Sequence, residues 1–251
     1  GQLDVCLKND REDELGRLSE SFNQMTQEYR LNLERSVQRQ KELNETQLRM
    51  MQAQLNPHFL YNTLDSMKWM AVASHVPKVA MLATDLAAIL RTSISGSELY
   101  TLEQELNLLE RYIDIQSLRF EDRFTCEIDI SEQFQHCIVP KLVLQPLVEN
   151  AIIHGVCDRE DGYIKLYAEK KDDDLLIYVS DNGCGLPPEI LDCLNSPDAR
   201  ITGGHLGLNN VTRILRLYFG DGYGLSAISE PDQGSILCVR LPYKKEEDPH
   251  A

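Results

Sequence analysis

A change of hydrophobic period near residue 120 constrains this chain more than any other feature. Upstream, apolar side chains recur at helical spacing. Downstream, short runs rich in β-branched and aromatic residues alternate with turn residues. A period of 3.6 residues and a period of 2 cannot share one element, so the chain divides into an all-helical first part and an α+β second part. Within residues 10–54, a run without proline, Leu15, Leu18, Phe22, Met25 and Tyr29 step by three and four, the seam of a coiled coil. The pattern loosens around Leu31 and Leu33 and resumes at Leu48, Met51 and Leu55, as a shift of register produces. A single amphipathic helix on a globular core would carry a similar stripe. The run is too long and too polar elsewhere for that, and a parallel dimeric coil is the expectation.

Further helices are expected over residues 54–74, 77–93 and 102–118. Pro77 suits a first helical position. Thr101 followed by Gln104 is a capping-box pattern, and residues 93–97, with Gly96 inside, break the last two helices apart. Strands are expected over residues 124–130, 163–168, 175–179, 224–228 and 235–241, with helices over 142–154, 188–194 and 206–218. Asp172, Asp173 and Asp174 read as a hairpin turn.

Forty acidic against 25 basic side chains give a formal charge of −15, and no basic run is interleaved with aromatics. That balance argues against nucleic acid as a partner. An acidic chain that binds a polyphosphate must use local backbone donors together with a divalent cation. The seven cysteines are scattered without a Cys-x-x-Cys pair, as expected for reduced thiols. The most apolar stretch, residues 70–90, is interrupted by His75, Pro77, Lys78 and Asp85 and cannot span a bilayer.

Three segments of the second part carry chemistry. Residues 147–155 (LVENAIIHG) place Glu149, Asn150 and His154 among apolar neighbours, with Asn150 and His154 four apart on one helical face. Residues 181–187 (DNGCGLP) follow a strand, and Gly183 and Gly185 allow the backbone close approach to a flat ligand. Residues 203–211 (GGHLGLNNV) form a glycine-rich loop opening into a helix, a general solution for cradling phosphates. Taken singly each is weak, since Asp-x-Gly-x-Gly is often only a turn. In this order and spacing they resemble the Bergerat (GHKL) ATP-binding fold of histidine kinases, type II topoisomerases, mismatch-repair ATPases and heat-shock chaperone ATPases.

The resemblance implies an α+β sandwich that binds ATP and Mg2+. Asp181 would accept a hydrogen bond from the adenine amino group, and Gly183 and Gly185 would pass against the base. Asn150 would ligate Mg2+, with His154 on the same face. Gly204, Gly207 and the start of the next helix, Leu208 included, would meet the triphosphate, and residues 193–203 would form a lid. Pro146 departs from the pattern, standing where many histidine kinases carry an Asn.

In the helical part, residues 54–64 read QLNPHFLYNTL. At about 100° per residue His58 lies opposite the stripe of Leu60, Leu64, Met67 and Ala71, with Asn62 and Asp65 on its own side. Pro57 sacrifices a backbone hydrogen bond beside it, which a bland surface histidine would not require. The run resembles the phosphoacceptor motif of the LytS/YesM type of sensor histidine kinase, and the likeness extends over about residues 40–242. It implies that His58 is phosphorylated by ATP on a homodimer, in which paired hairpins form a four-helix bundle, and that the phosphoryl group then passes to an Asp of a response regulator. An imidazole is a ready nucleophile, so catalysis would rest on positioning and charge neutralisation. Phe59 follows the His where commoner kinases carry an acid. Asn62, one turn on, would orient the ring, and Asp65 is two turns away.

Asp13, Glu14, Leu15 and Gly16, with Phe22 and Asn23, resemble the second helix of a HAMP module. A membrane link through segments upstream of Gly1 is therefore expected. The organisation read from the chain is multidomain: residues 1–38 end a HAMP module and signalling coiled coil, 39–121 hold the dimerisation and phosphotransfer helices, 122–245 the ATP-binding domain, and 246–251 a tail. A hinge is expected at residues 119–123, with residues 123–251 able to fold and bind ATP alone. Two other functions share these motifs: a degenerate sensor that binds ATP without phosphotransfer, and an ATP hydrolase in which Glu149 activates water.

Overall fold

The computed structural model describes residues 25, 27, 57–94, 98–121, 123–157, 159–195 and 206–245. The chain forms two compact units, residues 1–58 and 59–251. Of the first, Met25 and Gln27 are helical. The rest of the expected coiled coil lies outside the described residues, as does the tail at 246–251.

Helix α1 spans Pro57–Ala73 and α2 spans Pro77–Ile94. The turn between them closes with Val76 N–H donating to Ala71 O and His75 N–H to Val72 O, while His75 takes the left-handed place at φ +55°. The first strand, β1 (Leu99–Thr101), leads into α3 (Leu102–Arg119). Thr101 and Gln104 form the expected capping box: the Thr101 hydroxyl accepts from Gln104 N–H, and the Gln104 side chain accepts from Thr101 N–H.

After β2 (Phe124–Asp129) come a 3-10 turn (Glu132–Phe134), β3 (Ile138–Pro140) and α4 (Gln145–Asn150), which runs on as a π-helix (Ala151–Val156). Then follow β4 (Gly162–Lys171), β5 (Asp174–Asp181), α5 (Pro188–Asn195), α6 (Leu206–Phe219), β6 (Gly224–Glu230) and β7 (Gly234–Pro242). Five strands form one mixed sheet in the order β2-β4-β5-β7-β6, parallel only between β2 and β4. Asp172 supplies the left-handed residue of the β4–β5 turn.

Burial alternates along the strands, every second residue of β5 being buried. Ile164, Leu166, Ile177, Val179, Leu237 and Val239 meet Leu147, Ile152, Leu208 and Leu215 of the helical layer, giving the expected α+β sandwich. The other face of the sheet carries the stacked Tyr167 and Tyr178, cross-strand partners with ring centroids 4.8 Å apart.

A small antiparallel pair, β1 with β3, was not expected from the sequence, because three residues are too few to show a period. It has a large consequence for α3. The first amides of α3 donate outward, Leu102 to Cys137 O at 2.8 Å and Glu103 to Gln135 O at 2.9 Å. Leu102, Leu106, Leu109 and Tyr112 belong to the same core cluster as the sheet. The core is therefore continuous across the boundary anticipated between residues 121 and 122. Helix α2 docks on α3, with the Arg111 guanidinium 2.8 Å from the buried Asp85 carboxylate.

Candidate functional site

The end of β5 and the π-helix enclose a cavity of about 160 Å³ lined by Asn150, His154, Gly155, Asp181, Cys184, Gly185, Leu186, Pro187 and Ser235. Asp181 is 7 % exposed. Its carboxylate is held on both oxygens: Gly183 N–H donates to Oδ1 at 2.8 Å, and the Ser235 hydroxyl donates to Oδ2 at 2.5 Å. Ser235 stands directly opposite Asp181 in the β5–β7 ladder. Each carboxylate oxygen has two lone pairs, so one on each remains for a ligand donor.

The glycines are demanded by close packing. A Cβ on Gly183 would fall 2.3 Å from the carbonyl of Gly155, and one on Gly155 would fall 2.9 Å from Asp181 Oδ1. Gly234 holds φ +92°, and a Cβ there would sit 1.9 Å from Asp181 O. The loop after Asp181 is tied down on both sides. Cys184 N–H donates to Gly155 O at 3.2 Å and its thiol to His154 O at 3.0 Å. Leu186 N–H donates to the Ser229 hydroxyl at 2.7 Å.

Asn150 is buried and His154 exposed, and both line the cavity. The chain between them passes from α to π winding at Ala151, an irregularity found disproportionately at functional sites. Glu149, on the adjacent face, is exposed and does not line the cavity. Burial first, and the Glu149 carboxylate next, push the Tyr112 phenol of α3 upward. Gly207 opens α6, where a Cβ would meet the Pro146 ring at 3.3 Å. Leu208 is fully buried in the core. Gly203, Gly204 and the expected lid beyond Asn195 lie outside the described residues. Asn195 itself ties the end of α5 to β6 by two bonds with the Ala227 backbone, at 2.9 and 3.0 Å.

Sequence reasoning missed Ser235. Only the strand register brings it to Asp181, and that register joins residues 54 apart in sequence. On α1, His58, Asn62 and Asp65 are exposed, while Leu60 and Leu64 are half-buried and Ala71 is buried. Met67, expected in the same apolar stripe, is 46 % exposed.

The donor set suits the groups that the motifs imply. Among the described residues no cluster of three acidic, histidine or cysteine side chains exists for a metal. A single amide oxygen lining the cavity, that of Asn150, is a ligand Mg2+ would accept when water and phosphate complete its shell. The fixed carboxylate of Asp181 at the base of a narrow, glycine-walled cavity suits a flat ring bearing an amino group.

Three family models match in succession: HAMP domain over residues 1–28, histidine kinase over 46–124, and histidine kinase-, DNA gyrase B- and HSP90-like ATPase over 138–245. The sensor histidine kinase YesM of Bacillus subtilis (strain 168) is 35% identical over 247 residues, 97% of this chain and 41% of that protein. The sensor protein kinase HptS of Staphylococcus aureus (strain USA300) is 32% identical over 210 residues, 82% of this chain and 40% of that protein. The chain thus spans about two fifths of the length of these curated relatives. Among solved structures, the catalytic domain of histidine kinase ThkA aligns at a TM-score of 0.45 and 19% identity, covering 59% of this chain and 97% of that one.

Proposed function

We propose that this chain, which belongs to the sensor histidine kinases, binds ATP with Mg2+ in the cavity between Asn150 and Asp181, phosphorylates its own His58, and passes the phosphoryl group to an Asp of a response regulator. The observation that carries the nucleotide reading is the convergence of Asn150, His154, Asp181 and Gly185 on one cavity from segments separated in sequence. The motif around His58 carries the choice of acceptor.

Asp181, held by Gly183 N–H and the Ser235 hydroxyl, accepts from the amino group of the base without reorienting. Gly183 and Gly155 let the loop after Asp181 and the π-helix pack closely enough to keep that carboxylate in place. Asn150 offers its amide oxygen to Mg2+, which when bound neutralises phosphate charge. A lone pair on an imidazole nitrogen of His58 forms the N–P bond to the γ-phosphorus as the bond to the bridging oxygen breaks and ADP leaves. The proton on the other ring nitrogen is then lost to solvent or a base, with Asn62 one turn along to hold the ring.

The same reading makes the active protein a homodimer, since α1 exposes Phe59, Trp69 and Met70 at 62–66 % and a two-fold bundle would cover them. The HAMP module supports a membrane link, although no described helix is long and apolar enough to cross a bilayer. Incubation with radiolabelled ATP and Mg2+ tests the central step. The wild type is expected to acquire an acid-labile, alkali-stable label and the His58→Gln variant none. Label persisting in the variant overturns the acceptor, and no label in the wild type favours a degenerate sensor.

A further inference from the structure

Glu105 is the most deeply buried carboxylate among the described residues, 1 % exposed, and the nucleotide reading assigns it no role. It sits in the first turns of α3. Its oxygens accept from Leu142 N–H at 2.8 Å and Leu144 N–H at 2.9 Å, in the loop that launches α4. Leu144, at the N-cap, makes no side-chain cap bond, and Pro146 lies within the first turn. Helix α4 thus has no cap of its own, and a carboxylate from another helix takes that place. Leu142 adopts φ +58° there, a left-handed conformation unfavourable for leucine.

The preceding residue is gripped as well. The Lys141 ammonium donates to Thr92 O at 3.0 Å and Ser93 O at 3.5 Å, the last carbonyls of α2, and Lys141 N–H donates to Glu98 O at 3.0 Å. Residues 141–144 are therefore held by α2 and α3 at one end. They continue at the other into the helix that carries Asn150 and His154.

We propose that Glu105 is a positioning residue whose carboxylate couples α3 to α4, setting where Asn150 and His154 stand in the nucleotide cavity and making ATP affinity respond to movement of the helical hairpin. The proposal rests on the nucleotide reading of that cavity. Its chemistry is proton-sensitive. Burial raises the Glu105 carboxyl to about 7, against the pull of the Leu144, Leu142 and Val143 amides. No charged side chain contributes to that shift: Lys141 is turned to α2, and Glu103 and Glu98 are exposed. The ionised carboxylate accepts both amides fully. A protonated one presents a hydroxyl to one of them and weakens the tie.

The test is ATP binding by calorimetry on the full chain, wild type against Glu105→Gln, at about pH 8 and about pH 6. At the higher pH the variant should bind ATP about 5-fold or more weakly, and the ratio should shrink toward one at the lower pH as the wild type itself protonates. A ratio of one at both values overturns the proposal. So does a weakening independent of pH, which is what general destabilisation would give. Wild type that binds no ATP at either pH would instead remove the nucleotide reading. Should the variant fail to fold, amide NMR of the wild type decides. The Leu142 and Leu144 amides and the Asn150 side-chain amide should titrate together with a midpoint near 7, and stationary Leu142 and Leu144 resonances or a stationary Asn150 overturn the coupling.

Discussion

Helices α1 and α2 bury only Ala71, Ala83 and Asp85 among their described residues and expose Phe59, Trp69, Met70, Met81 and Leu86 at 41–66 %. The region from β1 to β7 closes a core on itself, with twelve of its large side chains below 2 % exposure. Both regions obey the same amphipathic rule, but only the second contains enough surfaces to cover its own stripes. A helical pair leaves a second face that it cannot cover itself. Helix α3 looks like a member of the first region by its sequence and is packed as a member of the second.

The sharpest way to break this comparison is to cut the chain on either side of α3. A fragment of residues 98–251 should fold cooperatively and bind ATP. One of residues 123–251 lacks Leu102, Leu106, Leu109 and Tyr112, each worth about 1.5–3 kcal/mol of burial. That sum rivals the whole stability of a typical domain, about 5–15 kcal/mol, so the shorter fragment should be unfolded by near-ultraviolet circular dichroism. A folded, ATP-binding 123–251 would restore the boundary near residue 121.

Point substitutions sharpen the same contrast. Leu109→Ala, at a position 2 % exposed on α3, should cost about 3 kcal/mol in urea unfolding. Leu86→Ala, at 43 % on α2, should cost about 0.5 kcal/mol. Equal losses would mean that the two helices share one kind of environment.

The effect of pH on stability bears on the same helix, α3. Glu105 holds its proton to about 7 in the folded chain and to 4.5 when unfolded. Between those values the unfolded state binds fewer protons, so the contribution is full below about pH 4.5 and is lost as pH rises through about 7. Denaturant titrations should show the wild type losing on the order of 3 kcal/mol across that window relative to Glu105→Gln. Parallel curves would mean that burial does not hold the proton.

Much of the site could be read in advance because its signals are local. Asp181, Gly183 and Gly185 announce a strand end followed by a tight turn, and Asn150 and His154 announce a shared helical face. Thr101 and Gln104 announced their helix start three residues apart. Ser235 and Glu105 gave no such signal. Each acts on residues 37 to 54 positions away, through a strand register or a helix docking that neighbouring residues do not encode.

The sequence by itself determined the helical and strand periods, the glycine turn that walls the cavity, and a histidine on the polar side of its helix, since these follow from spacing within a few turns or strands. The tertiary structure alone decided which surface covers α3, which hydroxyl steadies Asp181, and which carboxylate caps α4. An apolar stripe specifies that it must be buried but not against what, and an uncapped helix end specifies a missing acceptor but not which segment supplies it.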